Sequence, residues 1–109
     1  MMEANELQQR FSQVENTIHH AAQRCEHVQT VPMDVKDRIQ HLDQMAMHAR
    51  SLMQSQDEYQ IRQCVDEMEE LGDLARDAVE YSTAPIDGEL KNAVLQAHRE
   101  LSELKHRLH

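Results

Sequence analysis

Residues 61–80 read Ile-Arg-Gln-Cys-Val-Asp-Glu-Met-Glu-Glu-Leu-Gly-Asp-Leu-Ala-Arg-Asp-Ala-Val-Glu. Ile61, Cys64, Met68, Leu71, Ala75 and Ala78 recur at alternating steps of three and four. That spacing puts them on one side of a helix and the charged residues on the other. The same pattern appears three more times. Upstream it runs Leu7, Phe11, Val14, Ile18, Ala21, Cys25, Val28, and then Val35, Ile39, Leu42, Ala46, Ala49, Met53. Downstream it runs Leu90, Val94, Ala97, Leu101, Leu104, Leu108. No stretch alternates with period two, so no strand is expected.

Three breaks separate the stripes. Pro32 follows Thr30 and Val31 and suits the first turn of a helix. Ser55 and Glu58 fit a capping box at the second break. Ser82-Thr83-Ala84-Pro85 forms the third. The expected helices span 4–29, 33–54, 57–82 and 86–108. A lone amphipathic helix of this length is unstable in water. Four of equal length with short connections bury their stripes together. The expected fold is therefore all-α, a single antiparallel up-down-up-down four-helix bundle over residues 1–109 with heptad-type core packing. A longer helical hairpin that dimerises would show the same periodicity, but the three breaks are similarly clear. Glu15 and Arg50 match in height at one expected helix edge, and Arg10 and Glu100 at another. Val65, Leu74 and Val79 widen the apolar stripe of the third helix.

Composition narrows the function. The chain of 109 residues carries 11 Lys and Arg against 20 Asp and Glu, a net charge of −9. That balance disfavours a nucleic-acid backbone or an anionic membrane as partner. No signal peptide or apolar span is visible, and two cysteines make no secreted disulfide framework. A cytoplasmic protein with reduced thiols is expected, as monomer or homodimer. Phosphate loops and nucleophile elbows are missing, and Cys25 and Cys64 both sit on apolar stripes. No cofactor and no enzymatic activity are expected.

Three features remain as candidate sites. His41, Met45 and His48 form one stripe on the second helix, a soft-donor set suited to Cu(I), set against the plain reading of solvated histidines. Gly72 faces His98 across the seam of helices three and four, at a level rich in alanine: Ala21, Ala46, Ala75 and Ala97. A mid-helix glycine costs about 1 kcal/mol relative to alanine, so a packing reason is expected there. The level is either a closely packed waist or a small cavity with His98 as its polar group. Residues 57–84 hold nine acids and two bases. Asp66, Asp73 and Glu80 recur every seven residues there and are expected on the outermost line of the third helix. They are either a solvated face or the docking surface for a basic protein partner. The leading functional expectation is a small non-catalytic interaction or regulatory module. A metal- or small-molecule-binding bundle is the alternative.

Overall fold

A computed structural model describes residues 2–109; Met1 lies outside the described residues. Among these residues four α-helices form and no strand: α1 Ala4–His27, α2 Met33–Leu52, α3 Glu58–Glu80 and α4 Gly88–Leu108. α1 packs on α2, α2 on α3, α3 on α4, and α4 returns to α1. No helix among the described residues is long and apolar enough to cross a membrane.

Each helix is two or three residues shorter than the sequence expectation, and the caps at the α2–α3 and α3–α4 junctions show where the limits fall. Asp57, not Ser55, caps α3: its carboxylate accepts the Gln60 N–H at 3.2 Å. Ser55 instead closes the end of α2, donating to the Leu52 carbonyl at 2.7 Å and accepting the Asp57 N–H at 3.2 Å. Between them Gln56 takes a left-handed backbone, φ 63°. Pro32 precedes α2 rather than opening it. Asp87 caps α4 by accepting the Leu90 N–H at 3.0 Å. Arg24 near the end of α1 also grips Asp87 with two bonds, at 2.9 and 3.0 Å. These bonds hold the Asp87 carboxyl at about 2, well below its ordinary value.

The core divides into two clusters. Leu7, Phe11, Val14, Ile18, Met53, Ile61, Met68, Leu101, Leu104 and Leu108 fill one. Cys25, Val35, Ile39, Val79, Leu90 and Val94 fill the other, with small alanines between them. Gly72 lies where the two meet. A Cβ at Gly72 would stand 3.1 Å from Leu101 Cδ1 and 3.9 Å from the His98 Cα, so α3 and α4 approach closely there. The enclosed space beside it, lined by Ile18, Ile39, Gly72 and Val94 among others, is about 10 Å³. That is no larger than one water, and its lining is apolar.

Two packing expectations need correction. Leu74 is exposed rather than part of the widened stripe, whereas Val65 and Val79 are buried. Glu15 and Arg50 do pair, at 2.9 Å. Arg10 turns to Glu6 on its own helix at 3.3 Å. Glu100 accepts from Gln13 and Gln96 instead.

Candidate functional site

The orientation of α3 decides what its surface offers. Val65, Met68, Gly72, Ala75 and Val79 point inward. Opposite them runs a line of side chains at steps of three and four: Tyr59, Gln63, Glu67, Glu70, Leu74, Asp77 and Tyr81. Tyr59 is 75% exposed, Leu74 41% and Tyr81 78%. Five large apolar side chains are exposed among the described residues, and three of them lie on this line. Covering large apolar groups with a partner gains about 25 cal/mol per Å² of apolar surface buried. Here they alternate with carboxylates.

Asp66, Asp73 and Glu80 lie to one side of that line, toward α4. Asp66 contacts His109 at 2.9 Å, and Asp73 contacts His98. Between these pairs Glu69 faces Lys105 at 3.7 Å. The acidic edge of α3 thus meets a row of basic groups on α4. Of the three expected docking residues, Glu80 is exposed and the two aspartates are half-buried in the seam. Their position differs from expectation because the buried arc of α3 includes Val65 and Val79 but not Leu74, which turns the helix.

His98 lies over Gly72, with its Cδ2 3.9 Å from where a Cβ would be. Its Nε2 faces the Asp73 carboxylate, and Arg76 Nη1 stands 3.4 Å from the same nitrogen. Arg76 also donates to Asp77 at 3.2 Å, which raises its already high pKa.

On α2, Met45 and His48 line a groove of about 470 Å³ with Leu52, Tyr59, Cys64 and Glu67. His41 is exposed and does not line it. The structure therefore brings two of the three expected soft donors to one groove and adds Cys64 from α3. Both cysteines are free and buried. Burial pushes the Cys25 thiol up to about 11 and raises Cys64 as well. Neither thiol has the lowered pKa of a nucleophile.

The sequence pattern sets Leu74 on the buried stripe and singles out neither Tyr59 nor Tyr81. Their signal was available: they share one helical face with Glu67 and Glu70. No protein family, curated protein or solved structure matches the chain.

Proposed function

We propose that this protein is a non-catalytic interaction module whose α3 outer line docks a basic amphipathic helix of a partner protein. One observation carries the reading: Tyr59, Leu74 and Tyr81 are exposed on one helical line with Glu67, Glu70 and Asp77 between them. Such a line suits a partner helix with apolar residues at i, i+3, i+4 and i+7 and Lys or Arg beside them. The groove of Met45 and Leu52 borders Tyr59 and offers adaptable apolar surface. Aromatic and leucine anchors supply affinity, and the carboxylates supply steering and register.

The supporting frame is a single bundle with heptad-type packing whose helices alternate in direction. The ion pairs and hydrogen bonds support that alternation. Between α1 and α4 the partners are Glu6 with Arg107, Gln13 with Glu100, and Arg24 with Asp87. Between α1 and α2 they are Glu15 with Arg50 and His19 with Asp43. Between α3 and α4 they are Asp66 with His109, Glu69 with Lys105, and Asp73 with His98. In each series one number rises as the other falls. Two buried, free thiols support a reducing, cytoplasmic setting.

The test is an amide NMR titration with a synthetic amphipathic helical peptide of leucine and lysine. Shifts should concentrate on residues 59–81 and weaken with added salt. They should disappear when Tyr59, Leu74 and Tyr81 are all changed to Ser. Shifts spread evenly over the four helices, or unaltered in the triple variant, would refute the proposal.

A further inference from the structure

We propose that Glu69, Asp73 and His98 form a divalent transition-metal site of the zinc class, tying α3 to α4. It is independent of the docking line, which faces a different direction. The observation is a convergence of three donors from two helices. One carboxylate oxygen each from Glu69 and Asp73 and one ring nitrogen from His98 lie within 4.8 Å of one another. Glu69 and Asp73 are four residues apart on α3, so both carboxylates leave the helix on the same side. His98 reaches them from the facing helix. Zinc binds such atoms at about 2.0–2.2 Å, which sets neighbouring ligand atoms about 3.4 Å apart in a tetrahedron. An ion would take the place of the direct Asp73–His98 contact, so that this pair opens while Glu69 draws in.

Burial and charge fit the same assignment. The Glu69 and His98 side chains are only 13% and 17% exposed, while Asp73 is 41% exposed. The site therefore has a fixed inner side and an open outer side, through which an ion enters and keeps solvent ligands. Two carboxylates and a neutral imidazole balance a divalent charge. Mixed oxygen and nitrogen donors favour zinc-like ions over the all-oxygen sites of calcium or magnesium. His98 Nε2 offers its lone pair in the tautomer that carries the proton on Nδ1.

Two cations stand at the rim. Arg76 Nη1 is 3.4 Å from His98 Nε2 and 4.0 Å from Asp73, and Lys105 Nζ is 3.7 Å from Glu69. Both are long, partly exposed side chains, and Arg76 keeps Asp77 as an alternative partner at 3.2 Å. They compensate the carboxylates while no metal is bound and move aside when one enters. Their charge weakens metal binding, so removing one should strengthen it.

The experiment is calorimetric titration of metal-stripped protein with zinc chloride, with Co²⁺ absorption as a second readout of ligand number. One ion per chain should bind. Asp73→Asn and His98→Gln each remove a ligand and should weaken binding by more than the about 10- to 100-fold that loss of an outer partner costs. Arg76→Gln should tighten it by about five- to tenfold, the effect of removing a like charge at the surface. His41→Gln with His48→Gln should change nothing. Far-ultraviolet circular dichroism confirms that each variant is folded, and the Arg76→Gln result stands even if His98→Gln unfolds. No saturable binding by the wild type at millimolar zinc would overturn the proposal. So would binding that Asp73→Asn leaves unweakened, or binding that Arg76→Gln leaves unchanged or weakens.

Discussion

Replacing Leu101 and Gly72, singly and together, probes the waist where α3 meets α4. Leu101 is fully buried, and its Cδ1 stands 3.1 Å from where a Gly72 Cβ would be. Leu101→Ala should cost about 3–5 kcal/mol, toward the upper part of the range for such changes, because glycine has no side chain to refill the hole. Gly72→Ala alone sets two effects against each other. Alanine gains about 0.8–1 kcal/mol of helix propensity. Its methyl group overpacks Leu101, which costs about 1–3 kcal/mol. The net change should be a loss of about 0–2 kcal/mol. In the Leu101→Ala background the obstruction is gone, and the same Gly72→Ala change should stabilise by about 1 kcal/mol. The coupling between the two sites should therefore be about 1–3 kcal/mol. Urea unfolding followed by circular dichroism gives all four free energies, provided the slopes agree. A coupling below about 0.5 kcal/mol would refute the close approach, because contact-free sites are additive at that level.

Asp87→Asn keeps a good capping side chain but loses the ion pair with Arg24, so it should lower the melting temperature at pH 7. Because the folded carboxyl sits at about 2 against an ordinary 3.8, its stabilisation is present above about pH 4 and lost as pH falls through about 2; the difference between wild type and Asp87→Asn should vanish over that window. Cys25 and Cys64 should react with a disulfide reagent at pH 8 far more slowly in native protein than in urea; equal rates would show that the thiols are open to solvent. Gln56→Gly should stabilise by about 0.5–1 kcal/mol, since glycine adopts φ 63° without steric cost; a loss in urea melts would contradict that backbone.

The four helices were legible because each carries an apolar residue every three or four positions over its whole length, and no other element shares that spacing. Their ends were less legible. Ser55 and Asp57 are both good capping residues, and only the turn around Gln56 decides that Asp57 caps α3. The glycine was readable as a point of close packing. The surface of α3 was not. Its rotation depends on whether Val65 and Val79 or Leu74 is buried, and all three are apolar. Burial of the two valines exposes Leu74, brings Tyr59 and Tyr81 into line with it, and carries Asp66 and Asp73 into the α4 seam. The pairing of Arg10 with Glu6 rather than Glu100 has a similar origin. A nearby residue on the same helix competes with one of matching height across the seam. The Glu69, Asp73 and His98 cluster joins residues from two helices, so no spacing within one stretch of sequence discloses it.

Site-specific photo-crosslinking in the host cell tests most directly whether α3 presents its outer line to a partner. A photoreactive residue is placed at Glu70, in the middle of that line, or at Asn92, exposed in the groove between α1 and α4. Position 70 should give one dominant protein adduct, a partner containing a basic amphipathic helix, which disappears when Tyr59, Leu74 and Tyr81 are changed to Ser. Position 92 should give no such adduct. The same adduct from both positions, or one that survives the triple change, would contradict the claim.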